Sequence, residues 1–194
     1  YVYCYLSYFG YKHGKKTMDG FWEAIARLGA DDNPYRAGFL QLVGVSETDA
    51  QAEKDYGPHV HYFYQKCLNV WEGFAEAPGY RTVRTLQSGA RPQVGLAAKQ
   101  IRQALTWKDY VEQGYIVAGS PATVREQLTD CIRKLRVGHL MVLLQIGSLP
   151  KDLTLKNIEL FGKEVLPHLR NVWPGAQDRW WPAGARPTFG GYPD

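Results

Sequence analysis

The chain has 194 residues, a formal charge of +4 and 45% hydrophobic residues. That suits one domain with a sizeable core; the scattered Lys and Arg give no nucleic-acid surface. The longest apolar run falls far short of the roughly 20 residues a membrane helix needs, and no signal-peptide pattern opens the chain. Cys4, Cys67 and Cys131 lie far apart without Cys-x-x-Cys pairing. Cys4 and Cys131 fall on the apolar pattern of their elements, so buried free thiols in a reducing cytoplasm are expected.

Tyr1 to Phe9 is rich in β-forming residues and ends at Gly10, which predicts a strand. Tyr11 to Lys16 reads as a basic loop, and Met18 to Leu28 as a helix with Phe21, Trp22, Ile25 and Leu28 inward. After a turn cluster from Gly29 to Pro34, Phe39 to Val45 reads as a second strand, apolar except for Gln41. A helix then opens near Thr48, whose partner three residues on, Gln51, fits a capping box. Its stripe is Ala52, Tyr56, Val60, Phe63 and Cys67, and Pro58 is expected to kink or break it.

Asn69 to Glu112 has a weak apolar period, apart from a possible short helix over Val94 to Leu105. So long an irregular excursion usually covers or forms a site. Ser120 is a good N-cap and Pro121 suits the first turn of a helix carrying Val124, Leu128, Ile132 and Leu135 on one stripe. Val137-Gly138 closes it. His139 to Ile146 reads as a strand apolar on both faces, the mark of a helix-covered parallel sheet. A last amphipathic helix places Leu155, Ile158, Phe161 and Val165 on one side. Residues 171–194 form a Trp-, Pro- and Gly-rich tail, expected to pack on the exterior or on a partner. The β-α-β-α order predicts an α/β fold with parallel strands, a barrel or a doubly wound sheet.

Three stretches in order carry a resemblance: Tyr115-Ile116-Val117-Ala118-Gly119-Ser120-Pro121-Ala122-Thr123-Val124, then Val137 to Gln145, then Leu160-Phe161 through Val165-Leu166-Pro167. Together they resemble the end of the bacterial-luciferase-like, flavin-dependent monooxygenases. The resemblance implies the C-terminal part of a (β/α)8 TIM-like barrel over residues 1–170, with Tyr1–Phe9, Phe39–Val45 and His139–Ile146 as strands six to eight. It makes about 69–112 an inserted lid closing over the flavin. It also implies reduced FMN supplied by a flavin reductase, molecular oxygen and a small organic substrate, in a cytoplasmic enzyme. A complete barrel usually needs about 250 residues. The chain is therefore expected to be the later part of a longer polypeptide, inactive alone, with pairing to its missing N-terminal part or a homodimer as the assembly. The alternatives are a non-catalytic partner subunit of a flavin-binding barrel, and a deazaflavin-dependent oxidoreductase.

In such barrels the site lies at the C-terminal ends of the strands. That rule selects Ser7, Tyr8, Gln41 and Gln145 for the cofactor, with Phe9 on the substrate side. Tyr8 and Phe9 offer flat apolar walls, although barrel core would explain Ser7, Tyr8 and Phe9 as well. An amide inside an apolar strand must find partners, so Gln41 and Gln145 either meet a ligand or bond to neighbouring backbone. Arg81, Arg84 and Arg91 lie in the lid, where related enzymes hold an anion with Arg; a solvated loop charge is the plain alternative. No residue is expected to act as a catalytic acid, base or nucleophile. His59 and His61 point apart on a helix and make no metal set, His13 is an exposed side chain or a phosphate contact, and His139 is structural. Gly119-Ser120-Pro121 could face an anion with its N–H groups, but helix capping is the better assignment.

Overall fold

A computed structural model describes residues 2–68 and 105–178. The elements are β1 (Tyr3–Leu6), α1 (Gly10–Arg27), β2 (Ala37–Val45), α2 (Asp49–Tyr62), α3 (Trp107–Glu112), β3 (Ile116–Gly119), α4 (Pro121–Leu135), β4 (His139–Leu143), α5 (Lys151–Leu160) and α6 (Leu166–Leu169). Single π-helical turns over Phe63–Cys67 and Phe161–Val165 prolong α2 and α5. The possible helix over Val94 to Leu105 and residues Arg81, Arg84 and Arg91 lie outside the described residues, as do 179–194.

All strand pairings are parallel, and β2 is the central stave. Leu40 pairs with both Leu6 and Met141, and Leu42 with both Ile116 and Leu143. A residue has one neighbour on each side, so β4 occupies one edge of β2 while β1 and β3 share the other, end to end. The expected parallel α/β architecture is therefore present as a parallel sheet. The short β3 was not foreseen, because Ile116 to Gly119 is only 4 residues long and opens directly into a helix.

Alternation along the strands separates two faces. The back face carries Ala37, Phe39, Val43, Val45 and Val117 and packs under α1, α4 and the Phe161–Val165 turn. The front face carries Leu42, Ile116 and Ala118 and is roofed at its C-terminal end by Ala52, Tyr56 and Val60 of α2 and Tyr110 of α3. At the other end of the same face, Leu6 and Met141 stay 40% and 38% exposed. Cys4, expected buried, lies there and is exposed, whereas Cys131 is buried as expected.

The remaining corrections have local causes. Tyr11 to Lys16 is not a loop: α1 begins at Gly10, and Tyr11, Gly14, Met18 and Trp22 form its buried stripe. Gly14 hid that period, because the ring of Phe39 fills the space a side chain would take there. Leu28 is 77% exposed just past the helix. Gly10 itself has φ 79°, and a Cβ there would overlap the carbonyl of Gly114. Only glycine allows this close approach in the left-handed region.

Pro58 neither breaks nor ends α2, which runs on to Tyr62. Pro58 is exposed, so its ring meets no packed neighbour, and the buried Tyr56 and Val60 hold the helix down from the other side. Thr48 accepts the N–H of Gln51 at 3.1 Å, but the Gln51 amide donates forward to Asp55, so only half of the capping box forms. A complete box is found at Thr106 and Asp109, inside the stretch read as irregular. β4 ends at Leu143 rather than Ile146 and its side chains are half-exposed, not covered on both faces. In α5, Leu155 and Ile158 are 52% and 46% exposed. The buried line is Asn157, Phe161 and Val165, turned inward by the polar Asn157.

Candidate functional site at the C-terminal rim of the sheet

The C-terminal ends of β1, β2, β3 and β4 deliver Ser7, Tyr8 and Phe9, Ser46, Ser120 and Gln145 to one rim. Ser7 is buried and its Oγ accepts the N–H of Phe9 at 3.3 Å, closing the turn into α1. Tyr8 projects outward, 42% exposed, with its ring 6.2 Å from that of Phe63 on the π-helical turn. Phe63 in turn abuts Gly147, whose φ of 55° lets the loop after β4 pass against His59 and Phe63. The exposed Gln145 donates to the Gly147 carbonyl at 3.1 Å. Phe63 thus touches Tyr8 through its ring and lies beside the loop that carries Gln145.

Phe9 turns the other way, edge-on to Tyr115 at 6.1 Å and to His13 at 5.4 Å. Behind it Tyr64 stacks on Tyr110 and donates its hydroxyl to the Tyr8 carbonyl at 2.7 Å. Burial pushes the Tyr64 phenol well above its ordinary pKa, so it stays a neutral donor. Phe63 belonged to the apolar stripe read from the sequence, but Tyr64 did not. A π-turn shifts the register of the helix, and no helical period displays that.

Gln41 is 1% exposed. Its Nε2 donates to the carbonyls of Leu42, Gly114 and Tyr115 at 3.2–3.3 Å. It sits where β1 has stopped pairing with β2 and β3 has not begun, and its amide satisfies carbonyls in that gap. Its Oε1 has no partner among the described residues. A second buried amide, Asn157, does the same on the opposite edge. Its Oδ1 accepts Val45 N–H at 2.8 Å, and its Nδ2 donates to Val43 and Leu144 at 2.9 and 2.8 Å. β2 and β4 diverge there, and Asn157 replaces the lost ladder bonds. The sequence offered one signal for it: a polar residue four before Phe161 on the inward line.

Asp49 fills the start of α4. Its Oδ1 accepts the Ser120 N–H at 2.6 Å and its Oδ2 the Thr123 hydroxyl at 3.1 Å. The Ser120 N–H, with the hydroxyl bonds, holds this carboxyl below its usual range. Ser120 Oγ caps the Thr123 N–H at 3.3 Å. The helix start at Gly119-Ser120-Pro121 is therefore occupied by the chain's own carboxylate, consistent with capping. Ser46 Oγ donates to Asp55 at 2.6 Å, and Lys156 pairs with Glu47 at 2.9 Å, tying α2 to α5. His59 Nδ1 meets Ser148 Oγ at 2.9 Å across the same junction. Among the described residues no group of His, Cys, Asp or Glu could hold a metal ion, and no helix is long and apolar enough to cross a membrane. Away from the rim, a cavity of about 420 Å³ opens on the back side of β4, between Tyr35, Leu140, Phe161, Leu169 and Trp173.

No protein-family model matches the chain, and no curated protein matches it by sequence. Solved structures do. The oxygenating constituent of 3,6-diketocamphane monooxygenase from the CAM plasmid of Pseudomonas putida, a type II Baeyer-Villiger monooxygenase in complex with FMN, matches with a TM-score of 0.54 and 20% identity. The monooxygenase RslO1 from Streptomyces bottropensis matches at 0.52 and 15%. The likeness is one of fold. It takes in 85% and 87% of this chain but only 42% of either neighbour, so the chain spans about two-fifths of their length.

Proposed function

We propose that the chain is the later part of a luciferase-like (β/α)8 barrel, with β1, β2 and β4 as strands six to eight, belonging to a flavin-dependent monooxygenase. The observation that supports this reading is the parallel pairing of β1, β2 and β4 with their C-terminal ends on one side, in a fold matched by an FMN-bound monooxygenase. Reduced FMN, delivered by a reductase, supplies the chemistry by reacting with oxygen, and a small organic substrate is oxidised.

The residues present fit part of that group. Tyr8 and Phe63 offer an exposed aromatic flank, as a flat ring system requires. Gln145 is exposed on the loop after β4, its Nε2 on the Gly147 carbonyl and its Oε1 available to a polar edge. Ser7 fixes the turn that carries Tyr8. Gln41 contributes by holding the carbonyls of Gly114 and Tyr115, leaving only Oε1 for an outside donor. Phe9 borders the substrate side, and one of Arg81, Arg84 and Arg91, outside the described residues, is proposed to hold an anionic group of substrate or flavin. This chain's part in catalysis is shape and exclusion of water, with no acid or base.

The test is FMN titration of the native protein, followed by flavin fluorescence. Saturable quenching is expected, and Tyr8→Ala should weaken it about tenfold, the order of one lost aromatic contact. Absence of saturable binding by both oxidised and reduced FMN would sink the reading.

A further inference from the structure

The cavity of about 420 Å³ behind β4 lies between helices that are already in place. Leu140 and Val142 of β4 form its floor, Ile132 of α4 one wall, and Phe161 and Leu169, beyond α5, the other. α4 and α6 also touch each other. In a barrel the next helix of the outer ring would stand beyond α5, away from α4, so closure of the sheet leaves this space unfilled. Its lining is apolar apart from Tyr35 and Arg170, and water would find too few of the two to four polar partners it needs there.

Past α6 the chain doubles back toward this cavity and is fastened beside it. Trp173, itself on the lining, donates its Nε1 to the Val137 carbonyl at 2.8 Å. A turn brings the Ala176 N–H to the Trp173 carbonyl at 3.2 Å, and the Gln177 carbonyl accepts the Asn33 amide at 3.0 Å. The Asp178 carboxylate then stands 3.6 Å from Nε2 of His139, which lies between Gly138 and Leu140, two of the lining residues. Trp180 and Trp181 are the second and third residues after that anchor. At about 3.5 Å per residue they reach roughly 7–10 Å from it, before the length of an indole is added. The stretch 69–104 starts and ends elsewhere: Leu68 and Leu105 belong to the front-face cluster, on the opposite side of the sheet.

We infer that Trp180 and Trp181, outside the described residues, seat their indole rings in this cavity, with Arg170 against an indole face at its lip. Arg170 is exposed and is the one cation among the described lining residues, and a guanidinium over an indole is favourable. A free apolar ligand, such as a fatty acid paired with Arg170, would have to give up its translational freedom to enter. The indoles have already lost theirs through the anchor at Asp178, which gives them an effective concentration at the mouth of about millimolar or more. They act as a strap that binds the stretch after Asp178 across α4 and α6. The inference rests on neither the flavin reading nor the closure of a barrel.

Fluorine NMR of the native protein labelled with fluorotryptophan provides the test, each signal being assigned by a Trp→Phe substitution. The Trp180 and Trp181 signals should be insensitive to the exchange of light for heavy water. Leu169→Met, a volume-conserving change in the cavity wall, should move both. Dodecanoate is the probe for a competing ligand. It should bind the Trp180→Ala/Trp181→Ala double variant, and bind the parent at least about tenfold more weakly, as follows when the indoles fill the cavity more than about nine-tenths of the time. Where it binds neither protein, the fluorine signals decide alone. Solvent-sensitive signals would overturn the inference. So would protected signals that Leu169→Met leaves unmoved, because the rings would then be buried elsewhere. Equal dodecanoate affinity in the two proteins would make the cavity a lipid site instead. Signals that respond to Leu169→Met only in a particle of doubled mass by light scattering would make the occupant a second copy.

Discussion

The two ends of β2 are built on opposite plans. Toward its C-terminus every side is closed by this chain: β3 and β4 pair with it, α2 roofs its front face, and the amides of Gln41 and Asn157 bond the backbone where the ladders fail. Toward its N-terminus the front row Leu6, Leu40 and Met141 has no roof of comparable kind among the described residues, and two of the three are more than a third exposed. The difference separates an end closed by named contacts from one that stays partly exposed among the described residues. Substitutions at the closed end should cost stability, and those at the open end should not.

The largest effect is expected at Asn157. It is fully buried and meets Val45 N–H and the carbonyls of Val43 and Leu144. Asn157→Ala would strand three backbone groups, for a loss of about 3 kcal/mol or more in urea unfolding. Asn157→Asp should be almost as damaging at neutral pH, because a carboxylate cannot donate to two carbonyls, and should recover in part at acid pH. Equal loss at both pH values would show that the amide fills space rather than bonding.

Gln41 should come next. Gln41→Leu removes the donor shared by Gly114 and Tyr115 and should cost about 2 kcal/mol by the same measurement. Gln41→Glu should be worse above pH 6 and milder near pH 4, where protonation restores a donor. These buried amides also mark where the sequence stopped being legible. Apolar periodicity found α4, whose Val124, Leu128 and Leu135 are fully buried, because a helix against a sheet needs only a stripe. It could locate Gln41 but not choose between a ligand and the backbone. It misplaced α5, since Leu155 and Ile158 supply a better apolar stripe than the line that Asn157 occupies. The rim was legible at Tyr8 and Gln145, which lie beside strand ends. Phe63 joined them only through a π-turn that leaves no trace in the period. Cys4 and β4 were read as covered from their apolar residues, but Cys4 is exposed and β4 half-exposed, because an apolar pattern does not say what lies against it.

A smaller effect attaches to Asp49, which ties the start of α2 to the start of α4. Its carboxyl is held below the ordinary value of 3.8 by the Ser120 N–H and the Thr123 hydroxyl. A depressed folded-state pKa adds stability that is present in full above the unfolded-state value and lost as pH falls through the folded one. The contribution should therefore be constant above about pH 5 and fade below pH 4. Asp49→Ala should cost about 1 kcal/mol at pH 7, less in high salt because the site is exposed, and nothing extra at pH 2. Urea midpoints for both proteins across pH 2–7 would show the two curves converging toward the acid end.

The smallest expected effect sharpens the comparison most. Met141 lies in the middle of a strand, in register with Leu40, and residues so placed in a parallel sheet are ordinarily core. Were the N-terminal end of the front face closed like the other end, Met141→Lys would bury a charge and cost several kcal/mol. At 38% exposure the lysine stem can lie along Leu40 with its ammonium in water. The 194-residue chain should then unfold within about 0.5 kcal/mol of the parent. A large loss in the 194-residue chain itself would mean that its open end is already closed.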